Sequence, residues 1–580
     1  VHINDANDSE LLRLHSDSPR NLFLGRQAGA QNQVISQQSG EFNTFAGALS
    51  GSENVSGNNN AGFGYGSLSL NFSGSNNTAV GSNTLLDNED GAFNTAIGAF
   101  SLRDNKSGGF NTAVGTNALL STQTGSFNTT MGASALNGLD NGMGNTALGY
   151  RTMFSSFSGL RNVAVGQDAL FLGNFGNYNV AIGSHALYYN NQRSNLVAVG
   201  DSALYSNSFG IVDPSQAVGN TGIGSKALME NTTGSNNTGV GFEALRGSTN
   251  GSRNSALGYR ALHNNFAGED NTALGYRAMA ENNTGLYNTA LGSQSMEVNS
   301  TGNYNTAVGM LTMSLNISGQ DNTAVGNEAL RSNISGEGNV AIGKYSLKSL
   351  AIGNYNTAIG TRTVEFGSNA SGNTALGYNA GGDASNGSNN TFIGYESKAI
   401  LANYSNSAAL GAETVITGSN MVRLGNVSVT SIGGWADWTN ISDARVKDDI
   451  RTDVPGLTFI NQLRPVSYQL DRAAGAQILG SNTATNANRE SLRHTGFIAQ
   501  EVDALVRREG FTFDGVDVPE GDQGLYGIRY AAFVVPLVKA VQEQQAEIEQ
   551  QAATISAMEK ELQLLKEAII EIKKEMQKGE

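Results

Sequence analysis

Asn94-Thr95-Ala96-Ile97-Gly98-Ala99-Phe100-Ser101-Leu102-Arg103-Asp104-Asn105-Lys106-Ser107-Gly108-Gly109-Phe110 decides the fold, because a variant of this 17-residue unit recurs through most of the chain. Its opening Asn is found at Asn43, Asn60, Asn77, Asn94, Asn111, Asn128, Asn145, Asn162 and Asn179, with Leu196 once in its place. A seven-residue insertion within Ser206 to Gln216 breaks the register. The marker resumes at Asn220 and keeps the same spacing through Asn237, Asn254, Asn271, Asn288, Asn305, Asn322, Asn339, Asn356, Asn373 and Asn390. A degenerate unit at Asn21 to Gly25 opens the array, and Ser407 to Gly411 and Met421 to Gly425 continue it imperfectly. Terminal repeats of a stack are expected to be atypical, because they cap it.

Within one unit, the alternating Thr95-Ala96-Ile97 closed by Gly98, then Ser101-Leu102, then a polar turn ending Ser107-Gly108-Gly109, predicts two short strands and two turns. A second Gly, 14 positions after the marker, recurs from Gly40 to Gly176 and from Gly234 to Gly353, and is expected to supply positive φ in a turn. Seventeen residues are too few for a helix pair or a propeller blade. They suit one coil of a parallel β-solenoid whose strands pair with the coils above and below. At about 4.8 Å per coil, about 22 to 24 coils make a rod roughly 100 to 115 Å long. The Ala and Leu positions, such as Ala113 with Leu119 and Ala324 with Leu330, exceed what so small a coil is expected to bury alone, so association between chains is expected to cover the rest.

These Asn-Thr-Ala-Val-Gly coils resemble the left-handed parallel β-roll heads of YadA-like trimeric autotransporter adhesins, over roughly residues 21–425. The repeats of that family are shorter than 17, so the resemblance implies architecture and a trimer, and no ligand. A calcium-binding repeat is excluded because the turns carry Asn and Ser with no Asp period. The recurrent Thr95, Thr112, Thr272 and Thr289 alternate with Val163, Val180 and Val340 at the same position, which points to a packing ladder. Triplets such as Asn76-Asn77-Thr78 match glycosylation acceptors only as by-products of the repeat. Phe93, Phe110, Phe127, Tyr178, Tyr287, Tyr304 and Tyr355 share one offset, and read either as coil-to-coil stacking or as an exposed ladder for sugars.

Composition agrees with a fibre. The 580 residues include 73 Gly, 6 Pro and no Cys, and only 15% are charged, against about 25% in ordinary globular chains. A net charge of −15 disfavours nucleic acid and anionic membranes, whose phosphates are held by Lys and Arg. No apolar run approaches the ~20 residues of a membrane-spanning helix. Opening on Val1 fits either removal of a secretion signal or excision from a longer chain. His2, His15, His185 and His263 lack metal-ligand spacing, and neither metal nor cofactor is expected.

After Gly425 the composition changes: residues 1–425 carry 46 charged side chains, whereas residues 426–580 carry 39. A connector with Trp435 and Trp438 leads into a mixed α/β stretch and then a long helix. Counting heptads from Val541 puts Val541, Ile548, Ile555, Leu562, Ile569 and Met576 at position a, and Gln544, Gln551, Met558, Leu565 and Ile572 at d. That is a coiled-coil pattern, and Ile at both core positions with buried Gln favours three strands. Three segments, Thr439 to Ile450, Gly496 to Val502 and Val534 to Val541, closely resemble the peptidase S74 intramolecular chaperone domain, which ends phage tail fibres and endosialidase tailspikes and occurs in bacterial surface proteins.

That resemblance implies a domain that trimerises its passenger and then cuts itself off through a Ser-Lys dyad five residues apart in a Ser-Asp-x-Arg-x-Lys setting. Ser442 and Lys447 match, making Ile441-Ser442 the implied scissile bond and leaving a released piece of 139 residues. A Ser hydroxyl needs a base, and Lys serves only where desolvation leaves it neutral. Five residues along an α-helix turn about 140° off the starting face, so Ser442 is expected to precede a helix, or Lys447 to reach a neighbouring chain. The plain alternative is that Ser442 or Asp443 caps a helix while Lys447 is a solvated charge. His494 is a candidate assistant. The expected organisation is a cap and first degenerate repeat (1–42), β-roll repeats (43–425), a neck (426–441), an S74-type domain (442–535) and a coiled coil (536–580). The expected protein is a homotrimeric surface, virion or injection-system fibre, mainly β, with at most single-turnover self-cleavage as enzymatic activity. Host-surface or cell-surface glycans or proteins are candidate partners.

Overall fold

A computed structural model describes residues 2–4, 10–15, 17–34, 39–364, 368–382, 386–480, 492–519 and 524–579. Parts of the expected 1–42 cap and of the 442–535 domain lie outside the described residues. The chain divides into two compact units, Val1–Asn379 and Ala380–Glu580.

The first unit is a parallel solenoid. Each 17-residue repeat supplies one three-residue strand, from Leu22–Leu24 and Thr44–Ala46 through to Thr374–Leu376. Equivalent residues pair in register: Thr95 lies opposite Thr112, Ala96 opposite Ala113, Ile97 opposite Val114. The degenerate unit at Asn21 to Gly25 is a true first coil, paired in parallel with the next. Ahead of it, Glu10–His15 runs antiparallel to Leu22–Leu24 and to His2–Asn4, covering an edge that would otherwise invite pairing with another chain. The insertion does not disturb the stack, because Val197–Val199 pairs directly with Thr221–Ile223.

The second strand expected in each coil is not formed here. Around Ser101-Leu102 the chain bends, with Phe100 at φ +58° and Leu102 at φ +51°. Coil-to-coil hydrogen bonds nevertheless continue around the whole turn, as in Leu102 N–H to Ala118 O (2.9 Å) and Lys106 N–H to Gln123 O (2.9 Å). A left-handed non-Gly residue costs roughly 1–2 kcal/mol. Burying a Leu contributes about 1.5–3 kcal/mol, which is enough to hold it there.

From Gly57 onward the offset-14 Gly is explained by crowding, not by φ, which corrects the expectation of positive φ for all but Gly40 (φ +71°). A Cβ on Gly108 would sit 2.2 Å from Gly125 O and 2.4 Å from Asn105 Oδ1. Positive φ falls on the other Gly, at Gly98 (+127°), where the next coil's Gly115 carbonyl also lies too close for a side chain.

A second correction concerns the core. Ala113, Leu119, Ala324 and Leu330 are all fully buried within the single chain, so no association is needed to cover them. The coil closes because small Ala and Ser or Thr columns leave room for one Leu per turn, and because its buried polar groups are Asn side chains bonded along the stack. Asn94 Oδ1 accepts from Asn111 N–H (3.0 Å), and Asn94 Nδ2 donates to Gly108 O (2.8 Å). A parallel Asn column eleven residues on repeats the device: Asn105 Nδ2 donates to Asn88 Oδ1 (2.6 Å) and to Gly108 O (3.0 Å). Where Thr122 interrupts that column, Asn105 Oδ1 is left without a partner. The offset-16 aromatics both stack and stand exposed. Phe93, Phe110 and Phe127 lie 4.7 and 5.0 Å apart, and Tyr287 and Tyr304 lie 5.1 Å apart, all with nearly parallel rings.

The second unit begins with three more parallel strands, Thr391–Ile393, Ala408–Leu410 and Val422–Leu424. Here a second short pair does form, Lys398–Ala399 with Val415–Ile416. Below Phe392 and Ala409 the inward column ends in Arg423, a polar terminus, with Nη2 donating to Thr417 Oγ1 (2.9 Å). Beyond an exposed connector lies a small module of helices Leu457–Ile460, Arg472–Ile478 and Ala499–Glu509. It also holds two antiparallel pairs, Val466–Tyr468 with His494–Gly496 and Val516–Asp517 with Gly527–Ile528. The 44-residue helix Val534–Gln577 follows.

Candidate functional site

The module has its own core, in which Phe459, Val502, Leu505 and Phe533 are buried and Phe497, Phe511 and Phe513 pack around them. The Gly496-Phe497-Ile498-Ala499 segment enters this core for a local reason. A Cβ on Gly496 would meet Tyr530 Oη at 2.1 Å, and the same oxygen accepts from Phe497 N–H at 3.1 Å. Phe497 then stacks on Phe533 with ring centres 5.4 Å apart. The base of the long helix is also tied in. Its Glu543 accepts from Leu457 N–H (2.7 Å), satisfying a donor at the open end of the first short helix, and Pro536 and Ala540 are buried.

Ser442 and Lys447 come together at the entrance to the module. Asp443 caps a single 3-10 turn, Ala444–Val446, by accepting from Arg445 N–H (2.8 Å), and Lys447 follows the turn. Ser442 therefore precedes the helical residues, one of the two arrangements the five-residue spacing allows, and Lys447 Nζ donates to Ser442 Oγ at 2.7 Å. Asp443 also takes the Arg445 guanidinium (Nη2 to Oδ2, 2.6 Å), a bond that holds its carboxyl below the usual range and engages both of its oxygens. The capping alternative is thus realised by Asp443 alone. The whole segment from Ile441 to Ile450 is exposed, and Trp435 and Trp438 just upstream are exposed as well.

His494 lies elsewhere, on the strand His494–Gly496, opposite Tyr468 and with the two rings 5.8 Å apart. Tyr530, Glu543 and the Asp443–Arg445 pair escaped the sequence reading. The last has a signal in the Ser-Asp-x-Arg-x-Lys pattern itself, whereas a contact spanning 86 residues, such as Glu543 with Leu457, has none.

From Val541 onward the long helix presents its a and d side chains to solvent: Val541, Ile548, Ile555, Met558, Leu562, Leu565, Ile569, Ile572 and Met576 are all exposed. Among the described residues, no helix is long and apolar enough to cross a membrane, and no group of three or more His, Asp or Glu side chains is placed to hold a metal.

Residues 442–511 match the Peptidase_S74 family, described as chaperone of endosialidase. The match begins at Ser442 and takes in Lys447, His494 and the Gly496-to-Val502 segment. No curated protein and no solved structure matched the chain. A parallel solenoid of 17-residue repeats ending in an S74-type segment fits a tail-fibre-like structural protein.

Proposed function

We propose that this chain is one of three identical subunits of a fibre, carried on a bacterial surface, a virion or an injection system, and that its C-terminal module aligns the three chains. The observation that carries this is the exposed heptad stripe on a helix whose base is built into the S74-type module. Nine apolar side chains in water favour association through that stripe, and Ile at both core positions favours three strands. Parallel β pairing is slow and leaves sticky edges during folding, so a clamp that sets the register of three chains has a physical use.

Self-cleavage at Ile441-Ser442 is the second part of the proposal. Ser442 Oγ adds to the Ile441 carbonyl carbon while Lys447, as the neutral amine, takes the hydroxyl proton. The C–N bond breaks with that proton passing to the Ser442 nitrogen, and water hydrolyses the resulting ester. A lysine in water is protonated, so the exposed pair needs a neighbouring chain to bury it, which makes cleavage follow assembly. His494 is given an assisting role only, and His494→Gln is expected to slow cleavage less than Lys447→Ala stops it.

Intact mass under denaturing conditions tests this part. Wild type splits between Ile441 and Ser442, while Ser442→Ala and Lys447→Ala remain whole. If wild type stays a single 580-residue chain within a trimer, the module is a retained clamp and the fibre an uncleaved spacer. The exposed, stacked rings of the solenoid support a further reading, that the shaft itself holds surface glycans.

A further inference from the structure

The insertion at Ser206 to Gln216 is the place where the shaft departs from its repeat, and it builds a cavity there. A column of rings, Phe154, Phe171, Tyr188 and Tyr205, stacks coil upon coil at 5.4, 5.0 and 5.1 Å and ends at the insertion. Tyr189 stands edge-on to Tyr188 and Tyr205 and lies 4.7 Å from Phe209, which the insertion contributes. Between Leu172 and Tyr189 on one side and Phe209 to Val212 on the other is a cavity of about 340 Å³. That falls within the roughly 300–1,000 Å³ usual for small-molecule sites.

The insertion is held in place. Arg193 occupies a position where other coils have Gly, is almost wholly buried, and donates to Gln216 O (2.6 Å), Asp213 O (2.6 Å) and Asn191 O (2.9 Å). Two carbonyls of the insertion, tied by one guanidinium to the Asn191 carbonyl outside it, hold the loop before any ligand arrives, which reduces the ordering cost of binding.

The lining combines the rings of Tyr189 and Phe209 and the amides of Asn174 and Asn191 with aliphatic Leu172, Ile211 and Val212, and carries no charged residue. Asn174 lines the cavity, and Asn191 brings an exposed amide to its edge. Flat rings beside neutral donors and acceptors suit a ligand with an apolar face and hydroxyl edges, and an uncharged wall gives no reward to a phosphate or carboxylate. We propose that this cavity binds a neutral sugar residue, its ring against Tyr189 and Phe209 and its hydroxyls toward Asn174 and Asn191. The proposal deepens the glycan reading above and rests on it.

The test uses the full chain and an array of neutral di- and trisaccharides of glucose, galactose and N-acetylglucosamine, with sialylated and phosphorylated sugars as comparators. Phe209 is more than half exposed, so Phe209→Ala should leave thermal unfolding unchanged while weakening the best neutral ligand by about tenfold or more. Asn191→Ala should weaken it severalfold, and Tyr287→Ala with Tyr304→Ala should leave it unaltered. Binding that survives Phe209→Ala but is lost with the two tyrosines overturns the cavity and keeps the glycan reading. Preference for the charged comparators overturns the neutral class. An array silent throughout overturns both this site and the glycan reading, and leaves the fibre.

Discussion

The shaft and the C-terminal helix treat the same kinds of side chain in opposite ways. In the shaft, Ala113, Leu119 and Leu330 are sealed inside one chain, and even the polar Asn94, Asn111 and Asn288 are fully buried because each finds its partners one coil away. In the long helix, Ile548, Leu565 and Val541 stand 51, 56 and 62% exposed in the same single chain. The shaft seals those columns inside one chain while keeping other apolar side chains, such as Ile97, Leu257 and Leu274, in water, whereas the helix seals none of its apolar heptad positions from Val541 onward. Each coil already satisfies its Ala, Leu and Asn columns through its neighbours, so the proposed association of three chains is assigned to the heptad stripe of the helix.

Paired truncations sharpen that contrast most strongly. Leu565→Ala removes three side chains per trimer, at about 2–5 kcal/mol each, and should make unfolding of the assembly more dependent on protein concentration. Leu330→Ala removes a similar side chain from a closed coil and should cost about 2–5 kcal/mol locally, with no dependence on concentration. Thermal scans over a hundredfold range of concentration separate the two, and concentration-dependent loss at Leu330 would break the comparison.

A smaller effect is expected from Asn288→Ala. It orphans Asn305 N–H and removes a donor from Gly302 O, so hydrogen exchange around that coil should reveal a local loss of about 1–3 kcal/mol. Tyr304→Ala should have the least effect. Its ring is exposed and stacked on Tyr287, so the change in stability should be at most about 1 kcal/mol by denaturant titration.

The period of 17, the insertion and the five-residue Ser-Lys spacing were legible because each is a local regularity that survives without knowledge of contacts. The Asn columns are harder to read, since Asn ordinarily favours turns. Yet a turn tolerates Ser, Asp or Gly, and the unbroken recurrence from Asn43 to Asn179 was the available sign of a buried hydrogen-bonding duty. The offset-14 Gly was misassigned because composition cannot distinguish a demand for positive φ from a demand for close approach. Only Gly125 O beside Gly108 does that. The expectation that the Ala and Leu columns exceed what one coil can bury failed because the small columns at Ala96 and Ser101 make room for Leu102, a matter of volume that appears only when the coil is closed.

The most direct test of where assembly resides is the solution mass of the full chain by light scattering in the Ser442→Ala background, with and without Ile555→Asp and Leu562→Asp. The background keeps shaft and helix on one chain whether or not cleavage occurs. The parent should have three times the 60.6 kDa of one chain. The doubly charged variant should fall to a single chain with the shaft's β circular dichroism intact. A variant that remains trimeric would place association in the shaft and contradict the account.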